Sequence, residues 1–448
     1  MHSRLFSHLR SGLIALLMIL IATALPASIA FGQVSGPESG AGLVCVTDPG
    51  NTFNFATTDG YISIPDGNTV YMWGYALDVD ANADGQPDFQ HPGPSLCVTE
   101  GSTVTINLRN TLVEDVSMIF PGQSGVTATG GIVAANSLTQ AAAASGGTVT
   151  YSFIAGKPGT FLYESGTDLQ KQVQMGLFGS LVVRPGSQTT TDWFVFNDPA
   201  TQFNPNDEYM MLLSEIDPNL HAAVEANEPF DFTQYHPRYW LINGRAFPDT
   251  IAPNFANWLP TQPYGALLHI FPTSAGSHPS AMRMLNVGAL QHPIHPHGDH
   301  VRIIGRDGRP LARPYEKFDV NVGPGQTWDT LYDWTNLESW DPVTHPLPQD
   351  ATELDGFNDW LNPRNQNQLF KDPNFYSGSP YLGYQGNKDD ATATTYNECG
   401  EYYQIWHSHA LNEAANYEAG FGGMITLERI DPSPAVQAAT GNLCSTQP

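Results

Sequence analysis

Short runs of β-branched, aromatic and aliphatic residues recur along this chain, broken by Gly, Pro, Asn and Asp, while stretches of helical period are few. Apolar runs bounded by turn-forming residues predict strands. From Thr69 to Pro185 they read "TVYMWGYAL", "SLCVTEGSTVTINLRNTL", "SMIFPG", "TVTYSFIAGKPGTFLYES" and "QMGLFGSLVVRPG". A second series begins near Trp193 and includes "EYMMLLSEID", "RYWLINGRAF", "AMRMLNVGA", "HPIHPHGDHVRIIGRDG", "KFDVNVGPGQTWDTLYDW" and "EYYQIWHSH". Each series closes on a strand, a glycine-rich turn (residues 175–179 and 420–424) and a last apolar strand. The repetition predicts one β-sandwich duplicated, with the boundary in residues 184–192. Residues 336–396 break the pattern, being rich in Asp, Asn, Pro and aromatics without a period. So many aromatics argue against disorder, and an ordered insertion in the second domain is expected.

The first thirty residues have another character. Arg4 and Arg10 flank the start of an apolar run from Leu13 to Leu25, and Ser28-Ile29-Ala30 supplies small residues at a cleavage position. Residues 1–30 therefore read as an export signal, leaving domains at 31–188 and 189–448 and a secreted or periplasmic location. The run is short for a membrane span, and no later stretch approaches ~20 apolar residues. The formal charge of −26 becomes −28 when the two arginines leave. A chain so acidic does not bind nucleic acid or an anionic membrane by electrostatics. The four cysteines, Cys45, Cys97, Cys399 and Cys444, predict two disulfides in an oxidising compartment. Three pairings are open; Cys45–Cys97 with Cys399–Cys444 is preferred because each bridge would tie a terminal segment to a core strand.

Metal-binding chemistry concentrates in the second series. "HPIHPHG" carries His292, His295 and His297, and "WHSH" carries His407, Ser408 and His409. Residues two apart on a strand share a face. His295 and His297 therefore face one way, as do His407 and His409, while His292 and Ser408 belong to the opposite faces of their strands. Four imidazoles on two strands form a candidate site for copper or another divalent metal. A separate candidate is "DVDANADGQPD", where Asp80, Asn82, Asp84 and Asp88 around Gly85 have the spacing of a short calcium loop. No nucleophile elbow or phosphate-cradling loop occurs in a convincing context.

The phrases "PGPSLCVTEGSTVTINLRNTL", "QMGLFGSLVVRP", "YWLINGRAFPDT", "RMLNVGALQHPIHPHGDH", "VGPGQTWDTLYDW" and "IWHSHALNEAANYEAGFGGM" resemble the multicopper oxidases and their two-domain relatives. The resemblance implies an all-β fold of two tandem cupredoxin (plastocyanin-like) Greek-key sandwiches. It also implies where ligands belong, and several are missing. Ile119 and Pro121, then Glu164 and Gly166, stand where the first domain would supply two histidine pairs to a trinuclear copper cluster. Ser408 stands where the blue-copper cysteine belongs, and Glu413 falls where the second blue-copper histidine would come. A serine hydroxyl cannot replace the thiolate that gives such a site its copper preference. Docking of the first domain as in the family would bring Glu164 towards the four imidazoles as a candidate fifth ligand. His292 is a further candidate ligand, with a structural role as its plainer reading, and Asp299 is a candidate acceptor for His297.

Three functional classes are compatible with these residues: a non-blue metal-dependent oxidoreductase acting on a small molecule or oxygen species, a copper-binding protein without turnover, and a structural or surface-interaction scaffold. A true laccase is not expected. The oligomeric state is open.

Overall fold

The computed structural model describes residues 34–35, 41–270, 278–334, 402–417 and 419–430. The export segment, the 336–396 stretch, Cys399 and Cys444 lie outside them. The described chain is mostly strand and forms two sandwiches. In the first, a six-stranded sheet holds Val34–Ser35, Cys45–Val46, Leu96–Thr99, Met118–Ile119, Gly159–Ser165 and Phe178–Arg184, and a five-stranded sheet holds Thr52–Ser63, Thr69–Leu77, Thr103–Arg109, Thr127–Thr129 and Thr148–Ile154. In the second, an eight-stranded sheet is built around Glu208–Ile216, Ser280–Asn286 and Thr327–Tyr332. It faces a five-stranded sheet of Leu268–Ile270, His292–Pro296, Val320–Val322, Tyr402–Ser408 and Ile425–Ile430.

The two sandwiches share a connection pattern. In the first, Thr52–Ser63 runs parallel to Thr103–Arg109, and the closing strand Phe178–Arg184 runs parallel to Leu96–Thr99. In the second, Glu208–Ile216 runs parallel to Ser280–Asn286, and the closing strand Ile425–Ile430 runs parallel to Leu268–Ile270. A buried asparagine repeats with them. Asn110 donates from Nδ2 to the carbonyl four residues on, at 2.6 Å, while its Oδ1 accepts from the amide two residues on. Asn286 makes the same pair of bonds, to Leu290 O at 2.6 Å and from Gly288 N at 2.8 Å. One side chain thus satisfies backbone groups that the departing strand leaves without ladder partners.

Each sandwich has its own core, one around Phe55, Tyr75 and Tyr163, the other around Tyr332, Trp406 and Met424. The face between them is part apolar, with Leu162, Val182, Met210 and Leu285 in one cluster. It is also part ionic. Arg283 reaches Glu208 at 2.7 Å and Asp329 at 2.9 Å, and Arg184 of the first sandwich reaches Glu208 at 2.7 Å. Thr160, also of the first sandwich, donates its hydroxyl to Asp329 at 2.5 Å. Burial opposes ionisation of Glu208, but Arg184 and Arg283 outweigh it and hold its carboxyl down at about 2. Cys45 and Cys97 are bonded, with Cα atoms 5.4 Å apart, joining the short strand Cys45–Val46 to its neighbour Leu96–Thr99. The helix Pro218–Glu225, capped by Asp217, interrupts the strand pattern and packs on Thr69–Leu77.

Candidate metal centre

The five-stranded sheet of the second sandwich carries the histidines. His292–Pro296 pairs antiparallel with Tyr402–Ser408, setting Ile294 opposite Ser408 and His295 opposite His407. His292, Ile294, Trp406 and Ser408 are buried towards the core, whereas His295, His297 and His407 are half-buried on the other face.

On that outer face, one ring nitrogen from each of His295, His297 and His407 lies within 4.8 Å of the other two. Two of the rings are oriented from behind. His407 Nδ1 lies 2.8 Å from the carbonyl oxygen of Ser408, and His295 Nδ1 lies 2.5 Å from that of Phe318. A carbonyl only accepts, so each Nδ1 carries the hydrogen and each Nε2 presents a lone pair. The Nε2 atoms of His297 and His407 stand 3.2 Å apart. Two nitrogens bound at ~2.0 Å to one tetrahedral ion are ~3.3 Å apart, so the spacing matches a ligand–ligand edge. Burial first, then the neighbouring rings of His407, His295 and His409, pull His297 down to about 4. Burial likewise lowers His407, against the opposing effect of its bond to Ser408. His297 is neutral near pH 7 and need not lose a proton to bind a cation. An all-imidazole donor set suits copper or zinc. The residues present therefore fit a mononuclear divalent ion.

The remaining candidates are placed differently. His409 is exposed at the rim, its ring stacked on His407 with centroids 5.7 Å apart and 5.0 Å from that of His295. Its nitrogens do not join the converged set. Glu164 pairs with Ile119 inside the first sandwich, where burial raises its carboxyl to about 7. It too is outside the converged set. At residue 166 a side chain would start 2.6 Å from Ile119 and 2.9 Å from Ser117, so the position has no open space. Asp299 caps the amide of His300 at 2.7 Å rather than His297. Calcium finds no support at the acidic loop. Asp80 accepts from the amides of Asp84 and Gly85, Asn82 from Asp84, Asp84 from Gln86, and Asp88 from Ala81. The loop spends its oxygens on its own backbone, and among the described residues only the histidine trio converges as a metal group.

His292 is held by protein on both sides. Its Nδ1 is 2.9 Å from Glu413 Oε2 and its Nε2 is 3.1 Å from Glu215 Oε2, all three residues being buried. Carboxylate oxygens only accept, so ionised partners at both ends require the ring to donate twice, as imidazolium. Burial opposes that charge, but the hydrogen bonds and charges of Glu215 and Glu413 outweigh it and raise the group to about 9. Ser408 donates to Glu413 Oε2 at 2.5 Å, and Tyr235, Ala289 and Leu290 serve Glu215 Oε1. No ring nitrogen of His292 is left for a metal. A protonated histidine between two glutamates fills the space behind Ser408. Sequence reasoning located Glu413 but missed Glu215; the one available signal was an acid inside the fully buried run "EYMMLLSEI".

The sequence model described as "Multicopper oxidase" matches residues 87–188. L-ascorbate oxidase of Cucurbita maxima is 26% identical over 284 residues, covering 58% of this chain and 44% of that protein. The chain is a distant homologue of the multicopper oxidases. Laccase-25 of Oryza sativa subsp. japonica is also 26% identical, over 252 residues, covering 54% of this chain and 38% of the other. The chain thus spans less than half the length of these curated relatives. Among solved structures, the blue copper oxidase of Nitrosomonas europaea superposes with a TM-score of 0.53 at 19% identity, covering 86% of each chain. At that identity the likeness speaks to fold, and the two sandwiches are tandem cupredoxin domains. The matched segment 87–188 contains Ile119, Pro121, Glu164 and Gly166, and its one histidine is His91.

Proposed function

We propose that this protein is an exported metal-binding cupredoxin pair that holds one copper ion, without a blue site, on His295, His297 and His407. The observation that carries the reading is the convergence of three imidazoles with two Nε2 lone pairs directed by backbone carbonyls. Those carbonyls fix the tautomers, burial and then the neighbouring rings keep His297 unprotonated, and His409 stands at the rim as a further imidazole. When bound, copper supplies one-electron chemistry and a Lewis acid at the sheet surface.

The laccase reaction is not part of the proposal. Among the described residues no thiolate stands behind His407, and the Glu215–His292–Glu413–Ser408 network lies there. The non-blue oxidoreductase reading is favoured by one feature: three protein ligands leave a coordination position on a half-exposed face, as catalytic sites do. Calorimetric titration of metal-free protein with Cu(II) tests the proposal. It expects one ion per chain in the wild type and at least a hundredfold weaker binding in both His297→Ala and His407→Ala. Equal binding in all three would refute it. Turnover of a small reductant or peroxide by loaded wild type, absent in both variants, would separate enzyme from binder.

A further inference from the structure

A continuous polar chain runs through the second sandwich and ends at the metal face. The Tyr235 hydroxyl lies 2.6 Å from Gln174 Oε1 and 3.0 Å from Glu215 Oε1. Glu215 holds His292 Nε2, His292 Nδ1 holds Glu413, and Glu413 receives the Ser408 hydroxyl. The backbone of the same Ser408 is fixed by its amide to Met424 O at 3.0 Å, and its carbonyl receives His407 Nδ1. Met424 N in turn donates to Glu413 O at 2.9 Å, so side chain and main chain of Ser408 are tied to one short loop. Ser408 is the residue through which a buried ionic network on one face meets a metal-directed ring on the other.

We propose that Ser408, and Glu413 and His292 behind it, are positioning residues for His407: the network sets the peptide carbonyl that fixes the tautomer and direction of that ring. None of the three touches the metal. The residue type at 408 follows from this role. A hydroxyl is a full hydrogen-bond donor to a buried carboxylate, whereas a thiol donates weakly and a methyl not at all. Losing the donor leaves Glu413 Oε2 with His292 as its remaining partner and removes the side-chain anchor at 408, so that the 408–409 peptide rests on its ladder bond, His409 N to Pro293 O at 2.7 Å. Outer partners of metal-binding histidines typically govern affinity by ten- to a hundredfold.

The inference rests on the proposed metal trio, and its test separates the two. Ser408→Ala and Glu413→Gln are compared with Ser408→Thr, which keeps the hydroxyl. Two signals are read: Cu(II) affinity by competition with a chelator, and the imidazole nitrogen resonances of His407 in metal-free protein. Expected are an affinity loss of about tenfold or more in Ser408→Ala and Glu413→Gln. The His407 Nδ1–H signal should shift or broaden in both. Both readouts should return to near wild type in Ser408→Thr. Folded Ser408→Ala with unchanged affinity and unchanged His407 resonances would overturn the inference. If wild type binds no copper, the metal proposal fails, and the His407 resonances alone decide this one. Ser408→Ala removes a single oxygen atom, so it carries the test if Glu413→Gln does not fold.

Discussion

Ser408 and His292 sit on the core side of two adjacent strands, one hydrogen-bonded carboxylate apart, and their environment makes a pH prediction. His292 is raised from 6.5 in the unfolded chain to about 9 in the fold, where Glu215 and Glu413 outweigh burial. Between those values the folded protein keeps a proton that the unfolded chain has lost. The stabilisation is therefore complete below about pH 6.5 and is lost as pH rises through 9. Chemical denaturation of wild type and His292→Gln should show a stability gap that shrinks by about 3 kcal/mol between pH 6.5 and 9. A gap independent of pH would mean the ring is neutral in the fold. His297 behaves oppositely: lowered to about 4, it is already deprotonated where His292 is still charged. Two histidines five residues apart thus divide the roles of internal cation and candidate metal ligand.

At the scale of elements, alternation along strands explains that division, and it was legible in the sequence. A period of two assigns His295 and His297 to one face and His292 to the other, whatever the fold. Duplication was legible too, through the glycine-rich turns before each closing strand. Gly423 shows why that turn persists: its φ is +62°, and a Cβ there would sit 2.2 Å from Glu413 O and 2.5 Å from Ala415 O. Gly423→Ala should lower the thermal midpoint by several degrees, at a cost of about 2 kcal/mol or more, because the obstacles are backbone. Asn286→Ala should cost a similar ~2 kcal/mol by leaving the Leu290 and Val322 carbonyls and the Gly288 amide without partners, read by urea unfolding. The second carboxylate on His292 was not legible, because Glu215 lies seventy-seven residues away on the facing sheet and only tertiary packing joins them. The acidic loop misled for the reverse reason. Its spacing suits a cation, but the same spacing lets each side chain cap the turn locally.

For the whole molecule, the ionic cluster of Arg184, Glu208, Arg283 and Asp329 joins the two sandwiches and came from no sequence motif. Arg283→Met would strip buried Asp329 of its cation and leave Glu208 with Arg184 alone, and should cost about 3–5 kcal/mol, seen as an earlier urea midpoint. The family resemblance shows in fold and in the 87–188 segment, while the imidazoles that converge lie outside that segment, so descent and chemistry must be read separately. The described residues hold a candidate metal site of three imidazoles on one sheet, backed by a proton-bearing histidine. X-ray absorption at the copper edge of the loaded protein tests that claim most directly. Imidazole nitrogens at ~2.0 Å and no sulfur are expected, with the signal lost in His297→Ala. A copper–sulfur distance, or an unchanged spectrum in that variant, would contradict it.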